Sequence, residues 1–91
     1  MKDILMKRLN VKEKPAEKLE MSLNAINPKL RPMLDAWLKD ESYRSTEIIE
    51  GYSIDSLMKG YNLKFTAAIL TLDWLMRDPV EAKKAIAHGI R

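Results

Sequence analysis

The sequence predicts an all-α protein, a compact bundle of four to five short helices with a helix-turn-helix-like corner. Three observations carry that expectation. Apolar residues recur at three- and four-residue steps in several separate windows, which is the pattern of one helical face. Helix start and stop signals stand where those windows begin and end. The chain has 91 residues, 46% of them hydrophobic and 32% charged, enough to bury one core and too few for a second domain.

The elements follow in order. Residues 1–14 hold Lys2, Lys7, Arg8, Lys12 and Lys14 and read as a basic, partly flexible N-terminal arm, with residues 15–91 as a single helical domain. From Pro15 to Ile26 an amphipathic helix is expected, because Ala16, Leu19, Leu23 and Ile26 share a face. Pro15 suits a first turn, where its missing N–H would have had no partner. Asn27 precedes Pro28 and is steered away from helical angles, which ends that helix. Leu30, Met33, Leu34, Trp37 and Leu38 form a second stripe. Asn27 could cap a helix opening at Pro28, but Pro32 would then sit in its interior, so a start near Arg31 is favoured.

From Asp40 to Gly51 the periodicity is lost and a loop is expected, with room for one helical turn; a small hairpin is the lesser reading. Ser53 is placed to cap a short helix with Ile54, Leu57 and Met58, ending near Gly60, and Asn62 to cap the next, from Leu63 to Arg77. The last helix opens with Asp78 as cap, Pro79 at the first position and Glu81 placed to reach back. It runs to about His88, where Gly89 can take a left-handed stop.

The stretch from Tyr52 to Leu75 resembles a helix-turn-helix, with Ile54 and Leu57 on the first helix, Tyr61 and Leu63 flanking the turn and Ala68 on the second, and the expectation turns on what that second helix presents. A helix that reads DNA offers polar or basic groups from its first two turns. Here those positions hold Lys64, Phe65, Thr66, Ile69 and Leu70. Apolar area favours a core over a wet groove by about 25 cal/mol per Å². On a wheel of about 100° per residue, Leu63, Ala67, Leu70 and Trp74 share one face. Phe65, Ala68, Ile69, Leu72, Leu75 and Met76 share a wider one. Thr66, Asp73 and Arg77 form one polar strip, and Lys64, Thr71 and Asp78 the other. A helix apolar on two sides needs neighbours on two sides. Asp73 and Arg77, four apart, can pair for about 0.3 to 0.5 kcal/mol at a surface.

Charge and composition bound the rest. The net charge of +3 comes from the N-terminus: Met1 to Lys18 holds six Lys or Arg against three acids, and the remainder is balanced at ten against ten. There is no Cys, so a disulfide framework, a thiolate zinc site and a cysteine nucleophile are excluded. His88 is the sole imidazole, and no other ligand type stands at metal spacing with it. A phosphate-binding Gly loop, a serine nucleophile elbow and a carboxylate pair are not present, so no catalytic residue, metal or cofactor is expected. The start lacks a signal-peptide h-region, and no apolar run approaches the roughly 20 residues of a membrane span, so a cytoplasmic protein is expected. Of six Met, Met33, Met58 and Met76 lie on core stripes and Met21 lies off them.

The expected function is a non-enzymatic protein-interaction module, adaptor or regulatory, able to dimerise through the 63–77 helix. Its candidate interface residues are Leu63, Phe65, Ile69, Leu70, Leu72, Trp74 and Met76, with Tyr43 and Tyr52 beside the acidic 40–55 segment. The alternative is a small DNA-binding regulator in which Lys2, Lys7, Arg8, Lys12, Lys14 and Lys64 contact phosphates.

Overall fold

Helical windows of this kind resolve into six α-helices and one 3-10 turn in the computed structural model of the chain, which describes residues 1–89. The order is α1 (Lys2–Leu9), α2 (Glu13–Asn24), the 3-10 turn (Pro28–Leu30), α3 (Arg31–Lys39), α4 (Ile54–Gly60), α5 (Phe65–Arg77) and α6 (Pro79–Ala87). The protein is all-α, with one or two more helices than expected. It divides into two compact units, Met1–Tyr43 and Arg44–Arg91. That division lies elsewhere than the arm-and-domain boundary expected at residue 14.

In the first unit, α1 packs on α2. The segment read as a partly flexible arm is therefore helical over most of its length, and Leu5 is fully buried. Tertiary contacts hold so short a helix. The Lys2 backbone N–H donates to Glu20 Oε2 of α2 at 2.7 Å, so a carboxylate from a neighbouring helix caps an N–H with no intrahelical partner. Lys2 Nζ reaches Glu13 at 3.1 Å and Glu17 at 3.4 Å. Asn10, at φ 54°, closes α1 in the left-handed conformation, and the Val11 N–H donates to the Met6 carbonyl at 3.3 Å. Pro15 falls in the first turn of α2, which buries Ala16 and Leu23.

Both readings of the Asn27 to Pro32 stretch hold. Asn27 Oδ1 accepts from the Lys29 N–H at 2.9 Å and so caps the 3-10 turn that opens at Pro28. α3 starts separately at Arg31, which puts Pro32 in its first turn and not its interior. Met33, Leu34 and Trp37 are buried. After α3 the Asp40 carboxylate accepts from the Ser42 N–H at 3.0 Å and hydroxyl at 2.7 Å.

In the second unit α5 packs on α4 and on α6. The expected loop contains a one-bridge hairpin turn: Ile49 and Tyr52 exchange both backbone bonds, with Glu50 at φ 53° and Gly51 at φ 86°. Two left-handed central residues are what a tight hairpin turn requires. Ser53 caps α4 as expected, in a reciprocal box with Ser56: each backbone N–H donates to the other's hydroxyl, at 2.9 and 3.1 Å. Asn62 does not cap α5. It stands in the turn at φ 56°, and α5 begins at Phe65 behind Lys64, which makes no side-chain cap. Asp78 both ends α5 and caps α6, accepting from the Glu81 N–H at 3.3 Å. Gly89, at φ 84°, follows the end of α6.

No helix among the described residues is long and apolar enough to cross a membrane.

Candidate functional site

Helix α5 sorts its two apolar faces cleanly. On the wider face Ala68, Ile69, Leu72 and Leu75 are fully buried and Phe65 is 2% exposed. Leu63, in the turn ahead of the helix, is buried as well. On the narrower face Ala67, Leu70 and Trp74 are half-buried, as is Met76 near the C-terminal end. Of the candidate interface residues, then, Leu63, Phe65, Ile69 and Leu72 are buried in the fold, and only Leu70, Trp74 and Met76 present surface. Among these, Leu70 and Trp74 continue one stripe with Ala67 at three- and four-residue steps.

The polar strips behave differently from the wheel. Thr66, Thr71 and Asp73 are each only 5% exposed. The Thr71 hydroxyl donates back to the Ala67 carbonyl at 2.8 Å, which removes its need for water. Asp73 Oδ2 lies 2.9 Å from Arg77 Nε, and while Arg77 is exposed the carboxylate is not. The pair is therefore not the fully exposed one expected, since its carboxylate is held within the fold.

The helix-turn-helix-like corner is present as a local geometry, with α4, a left-handed Asn62 and α5. Its second helix commits Phe65, Ile69, Leu72 and Leu75 inward. Burial of each such side chain contributes about 1.5 to 3 kcal/mol, so turning these four toward a ligand would cost on the order of 6 to 12 kcal/mol. What its start and first two turns leave partly or wholly outside is Lys64, Ala67 and Leu70, of which only Lys64 carries a side-chain hydrogen-bond donor.

The N-terminal cations are not equivalent. Lys2 is held by Glu13 and Glu17; its pKa is raised by the hydrogen bond to Glu13 first and that to Glu17 second, while the Glu13 carboxyl is lowered chiefly by the hydrogen bond from Lys2. Arg8 donates through Nη1 to the Trp37 carbonyl, and its guanidinium stands 5.1 Å over the Trp37 ring, with Glu41 at 3.9 Å from Nε. That clasp joins α1 to the end of α3. No local pattern signals it, because its two partners are 29 residues apart. Lys7, Lys12, Lys14 and Lys64 are exposed.

The tyrosines expected at an interface are both half-buried. Tyr52 meets Tyr61 with ring centroids 6.3 Å apart and tilted by 57°. Partial burial first, and then the neighbouring Tyr52, push the Tyr61 phenol up from its ordinary value. Tyr43 is the last residue of the first unit. His88 and Glu81 are exposed, and no cluster of three or more potential metal ligands exists among the described residues. Met21 is 73% exposed and Met33 buried, while Met58 is half-buried.

The fold and its surfaces define a small all-α protein with a half-buried apolar stripe on α5. No protein-family model, curated protein or solved structure matches the chain.

Proposed function

We propose that this chain is a non-enzymatic protein-interaction module whose contact stripe is Ala67, Leu70 and Trp74 on α5. The observation that carries the reading is the state of these side chains: a tryptophan and a leucine on one helical face, neither fully buried, on a helix whose other apolar face is already buried. Aromatic anchors of this kind are enriched in protein interfaces, because a rigid ring gives a large contact area for little lost side-chain entropy. The partner is a second copy of the chain or another protein with a matching apolar groove. A DNA-regulator role has less support, since Lys2 and Arg8 are engaged by groups of their own unit and α5 turns its bulkiest early side chains inward.

A photo-reactive benzophenone placed at position 70 tests the proposal in cells. The expected outcome is a discrete cross-linked species, at twice the chain mass for self-association or at another defined mass for a hetero-partner, that disappears when Trp74→Glu is added. A fully labelled chain that remains at its own mass refutes the reading.

A further inference from the structure

The first unit carries a recognition feature of its own. An open groove of about 620 Å³ is lined by α1 and by the C-terminal end of α3, with Ile4 and Leu38 as its apolar part. Ile4 is 40% exposed. The charged groups around it differ in what they already do. Arg8 is engaged by the Trp37 carbonyl and by Glu41. Asp40 Oδ1 accepts from both the N–H and the hydroxyl of Ser42. Lys7 and Lys39 are exposed and belong to no ion pair among the described residues. Once internal pairing is taken into account, two ammonium groups beside an apolar floor remain.

A complementary ligand therefore needs carboxylates for Lys7 and Lys39 and an apolar side chain between them. A continuous polyanion fits less well. Glu41, with its side chain 74% exposed, stands on the same rim as Asp40, and like charges brought together at an interface are costly. A peptide can carry its acids at two separate positions, whereas a phosphate backbone or an anionic membrane presents charge throughout. We infer that the groove docks an acidic, leucine-bearing peptide segment of a partner protein, with Lys7 and Lys39 as charge anchors and Ile4 and Leu38 as apolar floor. These residues are separate from the α5 stripe, so either surface can fail without the other.

The test is an NMR titration of the isotope-labelled full chain with a blocked pentapeptide alternating glutamate and leucine. Saturable shift changes are expected at Ile4, Lys7, Leu38 and Lys39, weaker at high salt. Binding to Lys7→Gln/Lys39→Gln should be about tenfold weaker, the size that follows from losing two surface ion pairs. A peptide with lysine in place of glutamate should leave the spectrum unchanged, a control that does not depend on how the variant folds. The inference is overturned by shifts that fail to saturate or that map elsewhere, by equal binding of the lysine peptide, or by a tighter response to duplex DNA or to phosphatidylglycerol vesicles than to the acidic peptide.

Discussion

Arg8→Ala should destabilise the first unit by about 2 to 3 kcal/mol, and the size follows from what the guanidinium touches. The side chain is 16% exposed, so its interactions are only partly screened. It donates to the Trp37 carbonyl, one of the last carbonyls of α3, whose neighbour from Ala36 is already taken by the Asp40 N–H at 3.0 Å. A hydrogen bond from a charged donor contributes about 1.5 to 3 kcal/mol. The stack on Trp37 adds about 0.5 to 2 kcal/mol depending on desolvation. Glu41 is mostly exposed and 3.9 Å away, so its share is at most about 0.5 kcal/mol. One side chain makes all three contacts, and they do not simply add.

Urea denaturation followed by tryptophan fluorescence, in a Trp74→Phe background, makes Trp37 the reporter of its own unit. Arg8→Lys keeps the charge but loses the planar fork and the stack, so it should fall between wild type and Arg8→Ala. Glu41→Gln should stay within about 0.5 kcal/mol of its parent. An Arg8→Ala variant as stable as its parent within about 0.5 kcal/mol would refute the reasoning, and so would a Glu41→Gln variant that costs as much as Arg8→Ala.

Two further outcomes are expected. The Lys2 to Glu13 contact lowers the folded pKa of a carboxyl and raises that of an ammonium, so its stabilisation is complete from about pH 4.3 to about pH 10.4. It is lost below that window as Glu13 protonates through its depressed pKa, and above it as Lys2 deprotonates through its raised one. The stability difference between wild type and Lys2→Gln, from urea melts, should therefore shrink toward about pH 3, and an unchanged difference there would remove the assignment. Glu50→Asn should raise the stability by about 0.5 kcal/mol, because Asn tolerates the left-handed angle that Glu50 holds at φ 53°. The exposed contact of Glu50 with Lys83 at 3.2 Å is too weak to offset this. A lower midpoint in a thermal melt would show that the Lys83 contact outweighs the turn.

Much of the helical order is legible residue by residue. Ser53, Asp78, Pro79 and the Asn27 to Pro32 stretch act through bonds between near neighbours, and near neighbours are adjacent in the sequence. Residues 1–14 were harder to read. α1 is eight residues long with a single fully buried side chain, too little periodicity to register, and its N-terminal N–H is capped by Glu20, 18 positions away. Asn62, expected as the cap of α5, stands in the turn, and that difference has another cause: the same residue type caps helices and occupies left-handed turns, and only the observed φ distinguishes the two.

The candidate surfaces divide along the same line. The chemical types in the 63–77 segment established that it would be apolar on two sides, since that depends on spacing alone. Which side enters the core, leaving Leu70 and Trp74 only partly covered, depends on the packing of α4 and α6 against it. Likewise the excess of Lys and Arg near the N-terminus is plain in the sequence, but which cations are engaged and which remain available is not. Arg8 met Trp37 and Lys2 met Glu13 because folding brought them within reach, and a Coulomb or hydrogen-bond energy depends on distance in space, which sequence separation does not encode.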